Sequence, residues 1–212
     1  MTIIKTARMT GRIMFSTLAL LVLSVVATAS AEQKTFELDP TQTKVAFTLG
    51  DVLHTVHGTF RLKRGVIHFD EATSLASGEL VVDATSGDSG SKARDGKMHK
   101  EILESQKFPE IIFIPQKFKG TLATAGKSHL DVDGQFTIHG ETHPMTLAID
   151  ADFGNGTTAD TSFDVPYVKW GMKNPSTFIL RVNDKVQISI HAVARTTNEG
   201  VEKSTTQTAA SR

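Results

Sequence analysis

The chain of 212 residues contains no cysteine, one tryptophan and one tyrosine. Without cysteine there is no disulfide staple, no thiol nucleophile and no lipid-modified cysteine at a processing site. Neither charge sign dominates, because 23 Lys and Arg balance 23 Asp and Glu. A clustered basic surface of the kind that neutralises nucleic-acid phosphates is therefore not expected. The sequence also lacks a Gly-x-Ser-x-Gly elbow, a phosphate-binding P-loop, a dinucleotide fingerprint and an EF-hand loop. Catalysis has no motif to rest on. No internal repeat or linker divides the chain, and beyond residue 31 no apolar run is long enough to span a bilayer.

The one long apolar run lies at the start. Lys5, Arg8 and Arg12 precede residues 13–26, which are mostly apolar, and Ala29-Ser30-Ala31 follows as a small-residue cleavage site. Residues 1–31 are expected to be a secretory signal peptide, with the mature chain starting near Glu32. No twin-arginine pair is present, so ordinary export is expected, and in a Gram-negative cell the destination is the periplasm. Removing three basic and no acidic residues takes the formal balance from zero to −3 over the 181 mature residues. That length is enough for one domain, placed at 32–195. Residues 196–212 are polar and without periodicity, and they are expected to be disordered.

What the chain does have is alternation. Across residues 130–153, Leu130, Val132, Gly134, Phe136 and Ile138 fall on one face of a predicted strand. After a turn at Gly140-Glu141-Thr142, Met145, Leu147, Ile149, Ala151 and Phe153 resume the pattern. Side chains alternate across a strand, so this is a long hairpin with one greasy face. Gly134 leaves a gap in the greasy row, for a bend or for the passage of a chain. Similar alternation marks strands at 44–49, 52–63, 66–69, 79–84, 110–119, 160–167, 176–182 and 185–195, the last two joined by Asn183-Asp184. One segment differs. Residues 91–104 have helical composition after Asp88 and Ser89, with Met98, Ile102 and Leu103 on one side, and Phe108-Pro109 ends it. The expected fold class is mainly β: two packed sheets or, to remove long exposed edges, an antiparallel barrel of about eight strands or more with one helix beside it.

The eight histidines do not show zinc spacing. His54 and His57 point to opposite faces of a strand, His68, His129 and His191 stand singly, and His139 and His143 flank a turn with no third ligand beside them. Asp95 and His99 are spaced to pair on a helix but lack a nucleophile. The aromatic set Phe47, Phe60, Phe113, Phe136, Phe153, Phe163, Phe178 and Trp170 is spread over nearly every strand. A barrel this apolar inside must either fill itself or hold an apolar guest.

Arg94-Asp95, Phe108-Pro109-Glu110-Ile111-Ile112-Phe113 and the run from Gly134-Gln135-Phe136 through His139-Gly140-Glu141-Thr142-His143-Pro144-Met145 together resemble the YceI family. The aromatic Phe36 ahead of Asp39-Pro40 fits the family's usual start, and the resemblance covers about residues 34–195. Here Gly96-Lys97-Met98 separates Asp95 from His99, where many members have one residue. The resemblance implies a secreted, lipocalin-like barrel holding a long isoprenoid lipid, an isoprenoid quinone or a polyprenyl phosphate, without catalysis. The implied partners are that lipid, transient membrane contact and, as in some members, a second copy in a homodimer. No other cofactor or metal is expected. The expected tunnel lining is Phe47, Phe60, Leu80, Val82, Met98, Leu103, Phe113, Phe136, Ile138, Leu147 and Phe178. Two other readings stay open: a metal-dependent hydrolase using His139 and His143, and a structural or stress protein whose barrel is simply full.

Overall fold

The computed structural model describes residues 33–50, 55–154, 156–177 and 181–199. The proposed signal peptide and residues 200–212 lie outside them. Among the described residues the strands are β1 (Gln33–Leu38), β2 (Lys44–Gly50), β3 (Thr55–Asp70), β4 (Leu75–Asp88), β5 (Glu110–Gly120), β6 (Lys127–Ile138), β7 (Glu141–Asp152), β8 (Thr157–Val165) and β9 (Val186–Glu199). A short helix α1 (Lys92–Lys97), continued by a π-helical turn over Met98–Ile102, sits between β4 and β5.

The sheet closes on itself. Its order is β1-β3-β2-β9-β8-β7-β6-β5-β4, with β1 also paired to β9 and β3 to β4. Both β1 and β2 lie antiparallel between β3 and β9, β1 against residues 66–70 of β3 and β2 against residues 55–60. They share one position end to end, so nine strands make a closed antiparallel barrel with eight positions around it. The break between them is made by Asp39. Its Oδ1 accepts from the Thr41 amide (2.8 Å) and hydroxyl (2.7 Å), and its Oδ2 from Gln42 Nε2 (2.6 Å). These bonds, the Thr41 side chain first, lower the Asp39 pKa to about 2.

The 130–153 pattern emerges as β6 and β7, paired continuously from Lys127–Asp152 to Ile138–Glu141. The turn lies at His139 and Gly140, earlier than the sequence places it. Both have positive φ (53° and 78°), as a two-residue hairpin turn requires. Twelve residues span roughly 40 Å of strand. At the usual barrel tilt that gives a wall about 30 Å high.

Several strand boundaries differ from the predicted ones, β8 for instance spanning Thr157–Val165 and not 160–167. Of the two strands predicted at 52–63 and 66–69, residues 55–70 form one strand, β3, and residues 52–54, with His54, lie outside the described residues. The alternation of β3 breaks because Lys63 and Arg64 are both exposed between buried Leu62 and Gly65, at a register shift against β4. The strand predicted at 176–182 is not formed at Ser176 and Thr177, and residues 178–180, with Phe178, lie outside the described residues. Finally, β9 continues to Glu199, four residues past the expected boundary, because β1 supplies a ladder from Leu38–Ala194 to Gln33–Glu199. Backbone pairing recruits these polar residues whatever their side chains.

The helix is also shorter than expected. α1 runs through Gly96 to Lys97, and the following turn widens so that the Leu103 amide reaches the Met98 carbonyl at 2.9 Å. Ser91, not Asp88 or Ser89, occupies the N-cap position and makes no side-chain capping bond. Among the described residues no helix is long and apolar enough to cross a membrane.

Candidate functional site

The inward faces of the strands enclose a cavity of about 580 Å³. Ten of the eleven expected lining residues bound it: Phe47, Phe60, Leu80, Val82, Met98, Leu103, Phe113, Phe136, Ile138 and Leu147. Phe178 lies outside the described residues. The cavity lies within the usual range of small-ligand sites, about 300–1,000 Å³.

Gly134 does not leave space for a guest. A Cβ there would stand 2.5 Å from the Ile114 carbonyl oxygen and 2.6 Å from Phe113 Cζ. The gap in the greasy row of β6 is filled by the Phe113 ring from β5. Just beside it the β5–β6 register shifts between Pro115 and Lys117, which is the bend.

The two ends of the lumen differ. One end, called the floor here, is formed by the turns at 71–74 and 121–126 and by the chain leaving β7. Phe36, Phe69, Leu122 and Phe153 line it. Phe69 packs edge-on to Phe36 (5.7 Å between centroids) and to Phe118 behind it (5.0 Å), and Phe36 also meets Phe153 (5.8 Å). Of these the sequence marks Phe153 in the aromatic set and Phe36 at the start of the family resemblance. The others carried no local signal, because their meeting depends on the barrel's connectivity.

At the opposite end, Met98, Ile102 and Leu103 turn their predicted apolar side into the lumen, with Tyr167, Met172 and Pro175 facing them. Here also stand Arg94 and Lys97, the only ionisable Lys, Arg, His, Asp or Glu side chains among the described residues that line the cavity. Arg94 is exposed, so the lumen meets solvent beside it. Its Nε donates to Ser89 Oγ (2.8 Å) and an Nη to the Ser89 carbonyl (2.9 Å). Asp95 takes the Ser89 amide (2.9 Å) and hydroxyl, and that hydroxyl bond, above all other causes, lowers its pKa. Lys97 Nζ donates to the Pro175 carbonyl (3.2 Å) and Lys173 pairs with Glu101 (2.8 Å), so the helical segment and residues 166–175 close this end together.

The expected Asp95–His99 pair is replaced by other bonds. His99 bonds to Ser105 Oγ (3.0 Å) and to the Gly87 carbonyl (2.9 Å), tying the π-helical turn to β4. His139 and His143 serve different neighbours. His139 packs on Phe108 (4.7 Å) and lies 3.5 Å from Glu104, whereas His143 stacks flat on Trp170 (4.1 Å, 4°). Among the described residues no three His, Asp or Glu side chains converge as metal ligands. Trp170 also touches Phe136 (5.9 Å). It covers a place where the wall is thin, since β7 pairs with β8 only from Ile149 to Asp152. Tyr167 anchors the same loop, its hydroxyl donating to the Asn183 carbonyl (2.6 Å), and burial raises its pKa to about 12.

Comparison with known proteins agrees with this architecture. The chain is 34% identical over 100 residues to a UPF0312 protein of Vibrio parahaemolyticus, covering 46% of this chain and 50% of that one. It is 32% identical over 95 residues to a UPF0312 protein of Pseudomonas putida, covering 43% and 47%. The matched segment thus spans about half the length of these curated relatives. Its fold is similar to that of Burkholderia cenocepacia BcnA, with a TM-score of 0.59 at 22% identity over 74% of this chain and 99% of that one. It is likewise similar to a polyisoprenoid binding domain from Saccharophagus degradans, with a TM-score of 0.58 at 14% identity over 76% and 97%. The profile of the YceI-like domain matches residues 36–194, the whole barrel from the floor phenylalanine of β1 to the inward alanine of β9, and the chain belongs to the YceI-like family.

Proposed function

We propose that this protein binds a long isoprenoid lipid in the lumen of its barrel and carries it in the periplasm, without catalysing a reaction on it. The observation that carries this reading is the lumen itself, about 580 Å³ of space walled almost wholly by aliphatic and aromatic side chains. A barrel that served only as a scaffold would gain stability by filling that space. Each five-carbon unit buried is worth about 3–4 kcal/mol gross, so several units outweigh an association cost of about 4–15 kcal/mol. The solved domain from Saccharophagus degradans, named for polyisoprenoid binding, has the same fold.

Arg94 and Lys97 extend the reading to the head group. Two cations and no carboxylate among the side chains that line the lumen favour an anionic head, a polyprenyl phosphate over a neutral quinone. The test is organic extraction of protein purified from its native compartment, followed by mass spectrometry. A prenyl lipid in the extract is the expected result. An extract free of prenyl lipid, together with no quenching of Trp170 by added isoprenoid quinone, would overturn the proposal.

A further inference from the structure

The floor is built as a fixed stop. Phe36 and Phe69 belong to paired strands and not to loops: Phe36 is opposite Ile67 of β3 and Thr196 of β9, and Phe69 is opposite Lys34 and Ala76. Both rings are 6% exposed, and Phe118 behind them is 4% exposed. The turns beyond are tied to one another and to the wall. The Phe118 amide donates to the Ser74 carbonyl (3.1 Å) and the Phe153 amide to the Gly126 carbonyl (2.8 Å). The Lys34 ammonium bridges Glu71 (2.8 Å) and the Leu122 carbonyl (3.3 Å), joining both turns.

Immediately above the rings the lining changes size. Ala151 stands one inward row above Phe153, and Ala194 is level with Leu38, one row above Phe36. Ala151 and Ala194 leave room directly above the phenyl rings, beside the larger Leu38 and Ile67, and the lumen stops at the rings. No charged side chain lines the lumen at the floor, and the Lys34 ammonium beyond it is already held by Glu71 and the Leu122 carbonyl, so a lipid held in this lumen lies with its tail on the floor and its head beside Arg94.

Resting on the lipid-binding reading above, we infer that Phe36, Phe69 and Phe153 act as a ruler that sets the longest prenyl tail the lumen takes in whole. A tail shorter than the lumen gains affinity with each added unit. Beyond the limiting length, extra units stay in water at the solvent end and add nothing.

The experiment is a competition series in which prenyl alcohols of increasing length, at constant detergent, displace one fluorescent apolar probe, N-phenylnaphthylamine. The expected result is a dissociation constant that falls about ten-fold or more per isoprene unit up to a limiting length. Past that length it then changes less than about two-fold per unit. Phe69→Leu, which opens space toward Phe118, moves the break to longer alcohols, and Ala151→Leu, which raises the floor, moves it to shorter ones. A purely structural effect of either substitution would shift all lengths together and leave the break in place. Affinity that climbs through the whole series without a break overturns the ruler, as does a break that stays put in both variants. Failure of every alcohol to displace the probe overturns the lipid-binding reading as well, and is distinguished by the absence of any length dependence.

Discussion

At the floor of the barrel, four phenylalanines drawn from β1, β3, β5 and the end of β7 meet ring to ring, and amide and ammonium ties close the turns beyond them. At the other end a six-residue helix, a π-helical turn and residues 166–175 are held by polar contacts: Arg94 and Asp95 on Ser89, Lys97 on Pro175, Lys173 on Glu101. The first end is closed chiefly by buried apolar area, which has no charge to titrate or screen. The second is closed by hydrogen bonds and ion pairs of the kind that respond to both pH and salt. The difference separates two jobs along one lumen, holding the fold together at the floor and meeting the solvent, where the proposed function puts the head group, at the helix end.

The largest effect that sharpens this contrast is on stability. Phe69→Ala removes a buried ring from the floor and should cost about 3–5 kcal/mol of unfolding free energy. Arg94→Gln, at an exposed position, should leave the denaturation midpoint nearly unchanged. Equal losses in urea titrations of the two variants would erase the distinction between the ends.

Binding should reverse the order. Replacing both Arg94 and Lys97 by Gln should weaken a polyprenyl phosphate about ten-fold, the worth of one charge-assisted hydrogen bond, while a polyprenol of the same length is scarcely affected. Calorimetric titration with the two ligands reads this directly, and a parallel loss for both would deny the cations a head-group role.

Acid should separate the ends next. The Asp95 and Glu101 pKa values are lowered, by the Ser89 hydrogen bond and by the Lys173 hydrogen bond respectively. A lowered folded value means that the stabilisation is complete above the ordinary carboxylate range and is lost as pH falls through the folded pKa values. Hydrogen exchange below pH 4 should therefore show α1 and the π-helical turn opening before Phe36 and Phe69, and Asp95→Ala should open them already at neutral pH. Loss of floor protection first would contradict this.

The smallest expected effect lies on the outer wall. The His129 pKa is raised, chiefly by its 2.7 Å hydrogen bond to Asp150. Its contribution is complete below the ordinary histidine value of 6.5 and disappears as pH rises through the raised one. His129→Gln should remove that small slope from the stability profile and leave the lumen's binding untouched.

Much of this was legible in the sequence because a half-buried strand writes its faces in alternate residues. The rows Leu130 to Ile138 and Met145 to Ala151 could be read off directly, and so could Met98, Ile102 and Leu103 on the helical segment. What could not be read was set by pairing between distant segments. Lys63-Arg64 looked like a strand end, and only β4 shows it to be a bulge inside β3. Thr196 to Glu199 looked like a tail, and β1 makes them a strand. Phe69 and Phe118 carry no signal in their own segments and Phe36 only that of the family's start, and closure of the barrel turns them into a floor. Gly134 could be recognised as special, but its reason, the Phe113 ring from the neighbouring strand, lay outside its own segment.

The most direct measurement is an equilibrium titration of the purified protein with a polyprenyl phosphate, followed by Trp170 fluorescence and by native mass spectrometry. Saturable binding of one lipid per barrel, tighter than that of the matching alcohol, is the predicted result. Absence of saturable binding, in protein shown to be folded and free of co-purified lipid, would contradict the assignment of the lumen as a lipid site.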